Sequence, residues 1–462
     1  MAHHTMKGAY ARLSERLNRH PQGAPPSDLL AAILRMLVSE REAELISLLP
    51  LRPFTAAAAA RRWNMDEASA VGVLNELAHR ALLVDVPGPD GFVYILPPPM
   101  AGFFEFSLMR VRDDLDQKVL SELFYQYINV EDEFIRNLIA GGTTHIGRVF
   151  VDEGALPADP TRTMREVGRR RPDGAVQPDP TRTMREVGRR RPDGAVQPDP
   201  TLQILDWERT TRIIADATAA ALGTCYCRHK MEHVGKACDA PQETCLTLNM
   251  VADSLVRHGH AKAISKDEAM RVVEISREHH LVQFGENVRT GVNFICNCCG
   301  CCCEALVGFK KFSTLKPIHP APFLPEPAGE GLCRACGRCA KLCPVNAWTI
   351  QDGRPRLNAD LCLGCGVCVR GCPFGALRLS RHERGPITPV DTAERVVRMA
   401  VERGKLQNFI FDNQLQFSHR AMAALIGAVL RLPPVKRALA TSQLGSAYID
   451  RLVELSRIPE KE

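Results

Sequence analysis

Chemistry in this chain concentrates in its 18 cysteines, and eight of them keep a strict spacing. Between Cys333 and Pro373 the chain reads CRACGRCAKLCP and, further on, CLGCGVCVRGCP. Each half is C-x2-C-x2-C-x3-C-P: three thiolates on one tight turn, able to cap three irons of a cubane, and a fourth that ligates the other cluster. Two such halves make two [4Fe–4S] sites. By that crossed rule Cys333, Cys336 and Cys339 share a cluster with Cys372, while Cys362, Cys365 and Cys368 share one with Cys343. Paired C-x2-C knuckles also hold zinc. Zinc, however, is complete with four sulfurs and has no use for a third C-x2 step or for a proline after the last ligand.

The other ten cysteines lie upstream. Cys225, Cys227, Cys238 and Cys245 form one set of four, and Cys296, Cys298, Cys299, Cys301, Cys302 and Cys303 crowd into the run CNCCGCCC. A single buried thiol behaves as a small hydrophobe, but six in one short loop are an oxidation hazard unless metal holds them. The expectation is at least one further iron–sulfur cluster of unknown type; ten thiols suit two cubanes or one larger non-cubane cluster. Arg228 and Lys230 would offset thiolate charge. His229, His233, His258 and His260 could join as ligands, although each is more often a surface or hydrogen-bonded core histidine.

Residues 330–380 resemble the bacterial-type two-[4Fe–4S] ferredoxin, with both motifs complete. The resemblance implies an electron carrier with no substrate pocket of its own. The wider layout over 202–375, with Cys225-Tyr226-Cys227-Arg228, the pair Cys238 and Cys245, and the Cys296–Cys303 run ahead of the ferredoxin motifs, is similar to a group of anaerobe iron–sulfur proteins whose reaction that similarity does not disclose.

The elements that must position these residues suggest an α+β, mainly helical multidomain chain. Residues 1–26 read as a flexible end and 27–100 as two helices, a turn and a hairpin around Pro89-Asp90-Gly91, an order that resembles a winged helix. Asp66 can cap the second helix, whose outward residues Asp66, Glu67, Ser69, Asn75 and Glu76 leave little but Arg80 to meet phosphate. That surface argues for protein docking and against nucleic acid. Connecting helices fill 101–150. Within 151–200, a 20-residue unit starting at Asp159 repeats letter for letter from Asp179, polar and Pro-bearing, so a solvated disordered loop is expected.

In 201–310, a cysteine-rich helical domain is expected: a helix capped by Asp206 and ended by Gly223, a second helix over 246–260, a third opened by the capping box Ser265–Glu268, and short strands at LVQF and VNFICN. A Pro-rich linker covers 311–332. The ferredoxin domain spans 333–380, with a hairpin at Asp352-Gly353. Helices fill 381–462, one with an apolar stripe at Val396, Val397, Ala400 and Val401.

The bulk composition, 45% hydrophobic and 24% charged over 462 residues, is that of an ordinary globular chain. The opening lacks the apolar core of a signal peptide and no apolar run reaches membrane-spanning length, so a cytoplasmic protein with metal-bound rather than disulfide-paired cysteines is expected. Between 333 and 379 there are seven Arg or Lys against two acids. That surplus favours the reduced cluster, raises its potential and suits a redox partner with an acidic face. Three functions fit: an electron-transfer component, an oxidoreductase with a catalytic cluster at 296–303, and a redox-sensing regulator, which the acidic helix disfavours.

Overall fold

The computed structural model describes residues 8–139, 142–156, 208–315, 318–382, 388–413 and 416–430. The duplicated unit, Asp206 and the tail beyond Leu430 lie outside the described residues. Helix and strand are mixed, with about 46% and 16% of the described residues in each, and among the described residues no helix is long and apolar enough to cross a membrane.

The N-terminal third packs as one core. Ser27, Ser39, Thr55 and Asp66 each cap a helix with their side chain, Ser39 as part of a capping box with Glu42. The helix Glu67–His79 turns Leu74 and Leu77 inward. After it, strands β2 (Val84–Gly88) and β3 (Gly91–Ile95) pair as an antiparallel hairpin, with β1 (Phe54–Thr55) on the far side of β3. Asp66, Glu67, Ser69, Asn75 and Glu76 are all exposed, and Arg80 is engaged by Glu42 in an ion pair. The end expected to be flexible is instead a helix from Ala9 to Asn18, with Leu13 and Leu17 fully buried. Its anchor is remote in sequence: buried Arg16 pairs with Asp412 at 2.5 Å.

The helices of the cysteine-rich region are laid on a six-stranded antiparallel sheet that the helical reading did not foresee, β4 (Gly147–Val149), β8 (Val282–Glu286), β9 (Phe294–Cys298), β6 (Glu243–Leu248), β5 (Ala220–Thr224) and β7 (Lys262–Ala263), in that spatial order. The helix expected to run to Gly223 stops at Asp216, and Ala220–Thr224 is a strand. AALGT has no strand signal of its own; pairing with β6 and β7 on both sides decides its state. The helix after Cys245 likewise begins only at Asn249, because Glu243–Leu248 is a strand. The helix Lys266–Glu278 opens with the expected capping box. It packs, with the helix Thr210–Asp216, on one face of the sheet against Leu246 and Ile295. Strand alternation then sends Cys245, Cys296 and Cys298 to the opposite face.

Two helices close that second face. Tyr226–His233 begins just after Cys225, and Glu304–Lys311 just after Cys303. A buried Lys230–Glu304 ion pair ties them, with the Asn129 amide hydrogen-bonded to both partners. The segment carrying the two CP motifs shares a core with the sheet: Val149, Val282 and Cys303 pack with Val345, Leu363 and Val367. Its outer strands β10 (Phe323–Pro327) and β13 (Leu377–Arg381) pair with each other, and β11 (Trp348–Gln351) and β12 (Arg354–Leu357) form the hairpin read from Asp352-Gly353, both residues at positive φ. At Gly300 the contact is so close that a Cβ would lie 2.3 Å from the Pro344 carbonyl oxygen.

Breaking a buried ion pair by removing one partner is far costlier than replacing both. Glu304→Leu, which leaves Lys230 charged and unpaired, should lose roughly 3–5 kcal/mol. The double variant Lys230→Met/Glu304→Leu should recover most of it. Thermal midpoints at equal metal load check this; a double variant no better than the single one would show that the pair does not fix the two helices.

Candidate metal centre

The two CP motifs fold alike. In each, a left-handed glycine, Gly337 (φ 71) or Gly366 (φ 84), turns the chain into a short helix, Arg338–Leu342 or Val367–Arg370, that carries the third cysteine. The residue before the second cysteine is also left-handed, Ala335 (φ 54) in one half and Gly364 (φ 69) in the other. Four backbone amides point at sulfur: Ala335 N to Cys333 at 3.5 Å, Ala347 N to Cys343 at 3.2 Å, Gly364 N to Cys362 at 3.4 Å and Ala376 N to Cys372 at 3.4 Å. These amides suit thiolates bearing metal.

The halves differ in exposure. Cys333 and Cys336 are exposed, whereas Cys368 is buried. Burial, then the charges of Cys362 and Cys343, push the Cys368 thiol up to about 12, although Trp348 donates to it. Burial and the neighbouring Cys368, Cys362 and Cys343 likewise raise Cys365 well above the usual range. Burial raises Cys339 as well, with Cys333 and Cys336 as its charged neighbours. Burial of this kind favours the protonated thiol, and a metal ion among these cysteines would displace those protons.

The upstream ten do not assemble as the sequence grouped them. Six border one cavity as an arc in which each thiol acts on the next, in the order Cys225, Cys227, Cys303, Cys298, Cys296, Cys245. The Cys303–Cys298 contact is 3.2 Å. Interactions with their arc neighbours lower Cys225, Cys296 and Cys303 and raise Cys227, Cys245 and Cys298. Cys238 is separated from its sequence neighbours and meets Cys299, Cys301 and Cys302 instead. Strand and turn geometry makes the division: Cys245, Cys296 and Cys298 share one sheet face, and the turn around Gly300 carries the next three thiols away before Cys303 returns.

Arg228 lies between the two groups. Its buried guanidinium donates to Asn297 O at 3.0 Å and to Thr244 Oγ1, with Nη1 3.9 Å from Cys299 Sγ. Burial opposes its charge, but Cys225, Cys299 and Cys298 outweigh that and hold it cationic. Lys230, expected to share this role, is taken by Glu304. The four histidines bond elsewhere: His229 to Leu108 O at 2.8 Å and to His233 at 3.1 Å, His258 to Asp85 at 3.1 Å, and His260 to His79 O at 2.9 Å.

The arc borders a cavity of about 1400 Å³, walled by the N-terminal core, the sheet and the helix Thr392–Glu402. Arg395 there is paired with Glu286 at 2.8 Å. Glu105, which carries no signal in FFEFSLMR, also faces the cavity. Burial and then the charges of Cys296, Cys303 and Cys225 push its carboxyl well above the ordinary range. Six thiols, one fixed cation and an acid whose burial favours its protonated form, around a large space, fit an iron–sulfur group.

Residues 332–376 match the 4Fe-4S dicluster domain family. No curated protein and no solved structure matches the chain. The match and the thiol geometry make this an iron–sulfur protein with a ferredoxin-type domain.

Gly364 sits where a Cβ would lie 2.5 Å from Ala321 O and 2.6 Å from Phe323 O, at a φ of 69°. Gly364→Ala should therefore cost roughly 1–3 kcal/mol and lower iron occupancy at the Cys362 motif. Ala335→Gly, the reverse exchange at the equivalent position of the exposed half, should be close to neutral because relief of a left-handed alanine offsets the added chain entropy. Iron per chain and thermal midpoints would decide it, and equal effects at the two positions would contradict the inequivalence of the halves.

Proposed function

We propose that this chain relays single electrons between a protein docked at its exposed ferredoxin motif and a further cluster held by the six-thiol arc. The carrying observation is continuity of sulfur sites through one packed core. Exposed Cys333 and Cys336 lead to Cys343, whose neighbour Pro344 touches Gly300 in the turn that joins Cys298 to Cys303. In this reading Cys333, Cys336, Cys339 and Cys372 hold one [4Fe–4S] cluster, and Cys362, Cys365, Cys368 and Cys343 the other. The electrostatic neighbours of Cys365 and Cys368, which include Cys343, support that division. Bound there, such clusters accept and release one electron at a time.

The chain's own residues set the conditions. Amide donors stabilise charge on sulfur, and Arg228 balances the buried thiolates. Arg334, Arg338, Lys341, Arg354 and Arg356 are all exposed around the outer motif, beside exposed Ile350. That mixture suits a transient partner with an acidic rim. The winged-helix-like head, with an acidic outer face, serves as a protein-docking or dimer module.

A second reading, an oxidoreductase, is favoured by one observation: the cavity at the arc exceeds what a carrier needs. Substrates such as small disulfides would be reduced there, and the spectrum of the dithionite-reduced protein would change when a disulfide is added. An unchanged spectrum would leave the relay alone standing.

For the relay, stopped-flow oxidation of the reduced protein by ferricyanide, an anion, should be faster than by a cationic cobalt complex of similar driving force, and the gap should narrow as salt rises. Arg334→Glu/Arg338→Glu/Lys341→Glu should reduce the ferricyanide rate on the order of tenfold. Indifference to oxidant charge would contradict docking at this face. Anaerobically purified chain should also hold more than the about eight irons of two cubanes; eight or fewer would leave the arc without a cluster.

A further inference from the structure

Cys238, Cys299, Cys301 and Cys302 bring their four sulfurs within 4.8 Å of one another. Cys301 and Cys302 are 3.6 Å apart and Cys302 and Cys238 are 3.8 Å apart. Four thiolates on one tetrahedral ion, each at about 2.3 Å from it, are separated by about 3.8 Å along every edge. The four ligands of one cubane cannot all lie so close to one another, because each sits on a different iron at a corner of a box. Among the described residues no other group of three or more potential ligands is drawn together to this degree, the thiols of the ferredoxin-type module included.

We infer that these four cysteines hold one mononuclear tetrathiolate ion, a site separate from every iron–sulfur cluster. The set is closed, with four sulfurs and no open position, as in structural zinc sites. Zinc outranks ferrous iron at a thiolate site in the divalent affinity order. A divalent ion with four thiolates retains two negative charges, and two cations stand beside it. Arg228 Nη1 lies 3.9 Å from Cys299 Sγ, and Lys310 Nζ donates to Gly300 O at 2.5 Å, inside the ligand turn.

The ion fastens two segments distant in the sequence: the loop holding Cys238, between the helix Tyr226–His233 and β6, and the turn Cys299–Cys302. That turn sets the positions of Cys298 and Cys303 in the arc and carries Gly300 against Pro344. The site's role is therefore to hold the arc in register with the ferredoxin-type segment. It does not depend on the relay reading, since it needs no electron to pass.

The test is elemental analysis of the full-length chain purified anaerobically, with iron, zinc and acid-labile sulfide measured on one sample. The expected result is about one zinc per chain, lost in Cys238→Ser and in Cys301→Ser with sulfide unchanged. Loss of a single iron with sulfide unchanged would keep the mononuclear site and replace zinc with iron. Loss of sulfide together with about four irons, or no loss of metal, would overturn the inference. If neither variant folds, zinc-edge X-ray absorption on the unaltered protein decides: four sulfurs at about 2.3 Å and no neighbouring metal support the site, and any other shell refutes it.

Discussion

Crowded sulfur is the constraint on which this structure depends. A thiolate in a protein interior loses most of its hydration, and a second beside it adds repulsion that a low dielectric does little to screen. Six thiols in an arc and four in a cluster can bind metal only where cations are built in. Arg228 is the fixed one: fully buried, unable to lose its proton, and held by Asn297 and Thr244 so that its charge faces both groups. The metals supply the remainder. Folding and metal loading are therefore coupled, because several of the thiols, Cys227, Cys245 and Cys298 in the arc among them, are driven towards neutrality when no ion is present.

Much of the scaffold answers the same need. One sheet face takes the apolar burden, with Leu246, Ile295 and Val273 in a dry core, which frees the other face for sulfur. The helices Tyr226–His233 and Glu304–Lys311 each start at a cysteine of the arc, so the buried Lys230–Glu304 pair between them fixes where Cys225, Cys227 and Cys303 stand. Such a pair adds little net stability but strongly penalises any arrangement that separates it. The ferredoxin-type segment shares this core; the Cys365 carbonyl accepts from Asp152 N at 2.8 Å and Arg370 reaches Glu274 at 3.0 Å.

What the sequence disclosed was local. The capping box at Ser265, the Asp66 cap, the Asp352-Gly353 turn and both CP motifs are short-range patterns, and each stands in the structure where its residues place it. What it concealed was non-local. Ala220–Thr224 carries helix formers and becomes a strand because two neighbours pair with it. Residues 9–18 seemed an unattached end because the partner of Arg16 is Asp412. The ten upstream cysteines were grouped by nearness in the chain, yet Cys238 belongs with Cys299, Cys301 and Cys302, a pairing set by a strand register and a turn. Glu105 gave no signal because only the fold brings it beside sulfur.

The inequivalence of the two CP motifs bears on direction. A cluster gains negative charge on reduction, so burial lowers its potential and nearby cations raise it. On the proposed ligand sets, the inner cluster would sit against half-buried Cys365 and buried Cys368 beside the sheet, while the outer one would lie near solvent within five exposed basic side chains. Both effects make the outer position the more easily reduced. An electron is then more stable at the exposed end, and transfer from the interior to the surface runs downhill. That slope favours a chain whose arc receives electrons and whose exposed motif delivers them, and it opposes a reductase fed from the surface, which would have to drive electrons inward against it.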